Sequence, residues 1–156
     1  IAAKLWVSSA TEDADLFLVV RAFAPDLKEL TFQGALDPHT PLAQGWLRAS
    51  HRKLDRKLSK PYRPYHSHDV VEPLVPGKVY PLDIEIWPSS TFFRKGERLR
   101  VLVKGSDIYP YPQRAPGLPL ALHADTRNQG EHVIHSGGRY DSHLLVPVIP
   151  AAPAQT

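Results

Sequence analysis

The sequence predicts an all-β chain built as antiparallel sheets closed into a sandwich or barrel. Three observations lead there. Leu82, Ile84 and Ile86 alternate with Asp83, Glu85 and Trp87, and Leu99, Val101 and Val103 alternate with Arg98, Arg100, Leu102 and Lys104. Such period-two patterning sends one set of side chains to a buried face. Seven or eight strand-like segments, separated by turn residues and without a βαβ rhythm, fill the 156 residues, as two packed antiparallel sheets require. No stretch reads as a long helix.

In order along the chain, Ala3-Lys4-Leu5-Trp6-Val7-Ser8 is the opening strand, and Ser8 to Asp15 is a polar turn. Asp15 to Phe23 is apolar in both alternating sets and predicts a central strand. Pro25-Asp26 turns it toward a hairpin partner at Leu30–Gly34, and Pro38 and Pro41 mark a loop before a short strand at Gly45–Ser50. Leu54 and Leu58, four apart, predict a short surface helix that Pro61 stops. Tyr65-His66-Ser67-His68-Asp69 raises a metal reading, but further ligands are not in pattern, and the stretch is expected to be a polar loop.

The stretch from Gly77 to Asp107 carries the two clearest strands as a pair. Pro88 ends the first, since it lacks the N–H a ladder needs. Ser89, Ser90 or Thr91 is expected to cap one helical turn, Phe92 and Phe93 to plug the end of the core, and Lys95-Gly96 to turn the chain back. Ser106 to Gly130 is a proline-rich excursion, longer than a mere connection needs. Strands are expected again at Glu131–His135 and Leu144–Ile149, with a turn at Gly137-Gly138 and a frayed tail over 151–156.

Composition narrows the function classes. Cysteine is absent, which removes disulfides and thiolate metal sites. No apolar run approaches the ~20 residues of a membrane-spanning helix, so no membrane partner is expected. Methionine is absent too, which suggests a domain excised from a larger polypeptide. The net charge of +3 comes from one segment, residues 52–63, with six basic side chains against one acidic. The rest of the chain holds 13 basic and 15 acidic residues, so no basic face suited to nucleic acid is expected. Compartment is not set by the sequence, with the cytoplasm favoured over secretion.

Chemistry is sparse. No Gly-x-Ser-x-Gly elbow exists, and Gly105-Ser106-Asp107 lacks both its spacing and its following helix. His132, His135 and His143 fall on or beside strands, where hydrogen bonding at sheet edges is the expected role. Gly-rich phosphate loops are missing. No catalytic residue, metal or cofactor is expected in this chain.

A resemblance gives these absences a context. Trp-Val-Ser-Ser-x-Thr-Glu-Asp-Ala-Asp-Leu (6–16), Gly-Trp-Leu-Arg-Ala-Ser (45–50), Leu-Val-Pro-Gly (74–77) and Trp-Pro-Ser-Ser-Thr-Phe-Phe (87–93) occur in this order. Lys-Gly-Glu-Arg-Leu-Arg (95–100), Gly-Ser-Asp (105–107) and Ser-His-Leu-Leu-Val-Pro-Val-Ile-Pro (142–150) follow. Together they resemble the C-terminal non-catalytic domain of X-Pro dipeptidyl-peptidases, cocaine esterase and related serine hydrolases. The resemblance implies a jelly-roll sandwich, galactose-binding-domain-like, over residues 1–150. It also implies an upstream α/β-hydrolase domain of the same polypeptide that carries the Ser-Asp-His triad. The module would pack on that domain and help shape the substrate cleft, with an oligomer compatible with this arrangement. Asp107, Tyr109, Tyr111, Arg127, Asn128, Arg139 and Tyr140 are the candidates for the cleft or domain interface. After Gly-Ser-Asp the chain departs from the family's common Phe-Pro-x-Phe-x-x-Asn run, so peptidase, esterase and acylase parents stay open. The alternative is a free-standing carbohydrate-binding jelly roll, which needs a platform of exposed aromatics, and Trp6, Trp46 and Trp87 are not clustered in sequence.

Overall fold

The computed structural model describes residues 1–34, 39–107 and 128–150. Its strands are β1 (Ala2–Ser9), β2 (Asp15–Phe23), β3 (Glu29–Leu30), β4 (Ala43–Arg48), β5 (Tyr80–Glu85), β6 (Arg98–Lys104), β7 (His132–His135) and β8 (His143–Leu145). The only helical element among the described residues is a single 3-10 turn, Ala49–His51.

Two four-stranded antiparallel sheets result. In the first, β1 is central: β5 pairs with it from Ala2 to Val7, with Leu5 opposite Leu82. Its other edge is shared by β8, opposite Ala2–Lys4, and β7, opposite Trp6–Ser9. In the second, β2 is central, with β4 and the two-residue β3 pairing with it and β6 taking Phe17 to Phe23. Alternation along these strands makes the core. Ala3, Leu5 and Val7 of β1, with Leu82 and Ile84 of β5 and then Ile86, meet Leu16, Leu18 and Val20 of β2 and Ala43 and Leu47 of β4 in one buried cluster. The fold is therefore an antiparallel β-sandwich, as the patterning predicts; jelly-roll connectivity stays an implication of the resemblance.

Several local expectations are corrected. The two strong strands of Gly77–Asp107 do not pair: β5 belongs to one sheet and β6 to the other. The connector between them is a crossover between layers, which explains why it is too long for a hairpin. No helical turn forms at Ser89–Thr91, and Phe92 is 84% exposed rather than plugging the core. Val101 is also half out, at 39% exposure, while Leu99 and Val103 do pack on the core. The Leu54–Leu58 helix is replaced by a single α-turn, Ser59 N–H to Asp55 O, with the Asp55 carboxylate accepting the N–H groups of Lys57 and Leu58. Leu54 instead bridges to His66; an aspartate that caps its own turn competes with helix propagation. The hairpin partner shrinks to Glu29–Leu30 plus a bridge from Phe32 to Thr40, and the last strand stops at Leu145, two residues before Pro147.

One close approach joins the layers. A Cβ on Gly45 would lie 2.1 Å from the Glu85 carbonyl oxygen, so only glycine lets β4 pass there. Trp87 N–H donates to the Gln44 carbonyl at 2.9 Å beside it. The start of β2 is tied to the 3-10 turn through Asp13, whose carboxylate accepts the Ser50 N–H (2.8 Å), the Ser50 hydroxyl (2.6 Å) and the Ala14 N–H (2.9 Å).

Candidate functional site

The Gly45–Glu85 approach fixes what sits outside it. Trp46, pointing away from the core on β4, and Trp87, just past β5, come to 5.4 Å between ring centroids at 55°. They are 47% and 61% exposed. The two indoles form one wall of an open cleft of ≈ 520 Å³ whose polar lining includes Asp15, Arg48, Glu85, His51, His66 and His68. Sequence inspection leaves these tryptophans 41 residues apart; only the contact between the two sheets unites them.

The polar wall is ordered. Arg48 grips the Asp15 carboxylate with two donors, at 2.7 and 3.1 Å, and Asn128 Nδ2 donates to the same carboxylate at 2.9 Å. His66 donates Nε2–H to the Asp83 carbonyl at 3.0 Å, which sets its tautomer. Burial holds its pKa below the ordinary histidine value, against the opposing pull of that carbonyl. Asp69, the nearest carboxylate in sequence, is turned away: the Lys53 ammonium at 2.8 Å and then the Ser67 hydroxyl hold its pKa down to about 2. Among the described residues, no three histidine, aspartate or glutamate side chains converge as a metal set.

The sequence candidates divide. Asn128 joins the Asp15–Arg48 network at the cleft wall. Asp107 follows β6, its carbonyl accepting Lys104 Nζ at 3.1 Å, with Gly105 lying beside the Asp15 carbonyl. Arg139 and Tyr140 lie elsewhere, on the outer face of β1: Tyr140 packs on Trp6 (5.5 Å) and His135 (5.1 Å), and the Arg139 guanidinium covers its ring. Tyr109, Tyr111 and Arg127 fall outside the described residues. Trp46, Trp87, Asp15, Arg48, Glu85, His51, His66 and His68 all line the cleft and are absent from the sequence-based set of contact candidates.

Among the described residues, catalytic geometry is nearly absent. Ser8 Oγ lies 2.8 Å from His135 Nε2, a nucleophile–base distance. Yet Ser8 is only 8% exposed, inside the β1–β7 ladder, and the pair serves the sheet. His132 likewise bridges Ser9 Oγ and the Asn128 carbonyl, each at 3.0 Å. These are the edge roles expected for strand histidines. Among the described residues, no helix is long and apolar enough to cross a membrane.

Comparison with known proteins fits this picture. Two crystal structures of a CocE/NonD family hydrolase from Staphylococcus aureus superimpose with TM-scores of 0.83 and 0.80, at 38% and 35% identity. In both, 90% of this chain is covered and 26% of the hydrolase. Serine esterases, so named, of Mycobacterium bovis and Mycobacterium tuberculosis are 29% identical over 112 residues, 69% of this chain. The chain spans only 16% of their length. The model of the X-Pro dipeptidyl-peptidase C-terminal non-catalytic domain matches residues 1–145, and the chain belongs to that family.

Proposed function

We propose that this chain is the accessory domain, residues 1–150, of a serine hydrolase, and that it packs on the α/β-hydrolase domain of the same polypeptide and helps shape its substrate cleft. The observation that carries the reading is the exposed Trp46–Trp87 pair at the rim of a polar-walled cleft. Exposed indoles beside ordered charges are what domain contacts use. The 26% share of the solved hydrolase supports a large partner in the same polypeptide. Asp107 and Asn128 would belong to the edge of this contact, with Tyr109, Tyr111 and Arg127 in the excursion between them. Arg139 and Tyr140, engaged in the Trp6 cluster, would lie apart from this contact. The parent reaction is acyl transfer to water, on an ester, an acyl amide or an Xaa-Pro peptide, with all catalytic groups in the other domain.

The test has two arms. The 156-residue chain alone should hydrolyse neither p-nitrophenyl esters nor Xaa-Pro amides. In the intact hydrolase, Trp46→Ala with Trp87→Ala, and separately Tyr109→Ala with Tyr111→Ala, should lower Tm or kcat/KM for bulky substrates. Turnover by the chain alone that a serine-directed phosphonate abolishes would overturn the reading.

The Trp46–Trp87 pair also favours a second reading, a glycan-binding module, because indole faces stack on pyranose rings. The 55° tilt makes a wedge rather than a flat platform. Saturable binding of an oligosaccharide, lost in Trp87→Ala with no change in hydrolysis by the intact protein, would favour it.

A further inference from the structure

We infer that His51 and His68, both of which line the cleft, form a binding site for a borderline divalent cation, zinc foremost. The two Nδ1 atoms stand 3.3 Å apart. That is long for an N–H donor bond, whose good range ends near ~3.2 Å. It matches the chord of a tetrahedral ion: two nitrogens at ~2.0–2.1 Å from zinc lie roughly 3.3 Å apart, whereas a right-angled pair lies roughly 2.9 Å apart. Both positions are built by the fold. His51 closes the 3-10 turn after β4. His68 adopts a left-handed backbone, φ 53°, one of only two such non-glycine residues among those described, and its ring lies 5.3 Å from that of His51. Uncommon backbone of this kind gathers at ligand sites.

The surroundings suit a cation that imidazole prefers. Glu85 lines the same cleft, and the two cations nearest in sequence are engaged elsewhere, Arg52 by Glu72 and Lys53 by Asp69. Imidazole ligation selects zinc, copper or nickel over magnesium or calcium. Since no third described carboxylate or imidazole converges, the site is a two-imidazole one whose other positions open to the cleft, where water or a ligand oxygen can bind. The signal is not visible in the His66-Ser67-His68 spacing: the partner of His68 is 17 residues upstream, delivered by the β4 turn.

The test uses the metal-stripped 156-residue chain and zinc chloride alone. At about pH 7.5, calorimetry should show one saturable equivalent, and nitrogen-15 spectra should shift both Nδ1 resonances together. His51→Gln and His68→Gln, which keep a hydrogen-bonding side chain, should each weaken binding at least tenfold with unchanged thermal unfolding. If either variant fails to fold, the Nδ1 shifts of the unmodified chain decide the matter. No saturable binding up to about 1 mM zinc, a level that covers weak sites of this sort, would overturn the assignment. Binding that leaves both Nδ1 signals in place would overturn it equally, and the pair would then be a hydrogen bond only.

Discussion

Two aromatic pairs sit on this domain's surface in nearly the same geometry. Trp6 and Tyr140 are 5.5 Å apart and Trp46 and Trp87 5.4 Å apart, each at 55°. Their surroundings differ. Trp6 donates its indole N–H to Asp141 at 2.7 Å, Lys4 lies over its ring, and Arg139 covers Tyr140. That cluster is complete within the domain. Trp46 and Trp87 open on a cleft, and Trp87 is the more exposed of the two. The difference teaches that a surface aromatic pair is not in itself a contact site; what matters is whether it borders an open cleft.

The largest effect should come from breaking the cleft's scaffold. Gly45→Ala places a Cβ 2.1 Å from the Glu85 carbonyl oxygen, a backbone atom that cannot swing aside. About 3 kcal/mol or more of stability should be lost, and the Trp46–Trp87 contact should loosen while Trp6–Tyr140 stays. Thermal unfolding with tryptophan spectra would check both.

Next in size are the tryptophans themselves. Trp6→Ala removes ring packing and a hydrogen bond and should cost the isolated chain about 1–2 kcal/mol. Trp87→Ala should cost it less than about 0.5 kcal/mol, the usual range for an exposed side chain. In the intact hydrolase the order should reverse, with Trp87→Ala the more damaging. Urea unfolding of both forms gives the comparison.

The two clusters should also respond to acid in different windows. Burial favours neutral His66, so its contribution is complete above about pH 6.5, the unfolded value, where both states hold it neutral. As pH falls below that value the unfolded chain takes up the proton first, and stability drops. Asp141 is shifted the other way in effect: the Trp6 indole N–H favours its carboxylate form. Its contribution is present above the usual carboxylate range and is lost as pH falls through the folded value. Indole resonances of Trp87 should therefore move in the first window and those of Trp6 only in the second. The smallest effect belongs to Lys53→Met. It should leave Tm unchanged near neutral pH, the pair lying at the solvent-exposed surface, and raise the Asp69 pKa from about 2 toward its ordinary value.

Strand identity was legible because alternation is local. Leu82, Ile84 and Ile86 read as one face from sequence and are buried together. Strand partnership was not, since β5 and β6 carry the same pattern and nothing in it says they join different sheets. The site suffered most from this. Trp46 meets Trp87 only because β4 crosses the end of β5 at a glycine, and His51 meets His68 only because the chain folds back on itself through the Leu54–His66 bridge and the Ser67 N–H to Lys53 carbonyl bond. The Leu54–Leu58 spacing misled for a local reason: Asp55 satisfies the turn's N–H groups and stops it after one turn. Family resemblance was carried by ordered motifs rather than by any functional side chain, so it reached the domain's identity and not its contact surface.

Hydroxyl-radical footprinting of the three tryptophans tests the central claim most directly, with Trp6 as the internal reference. The account predicts that Trp46 and Trp87 oxidise readily in the isolated chain and become protected in the intact hydrolase, while Trp6 reacts alike in both. Equal oxidation of Trp46 and Trp87 in the two forms would contradict it.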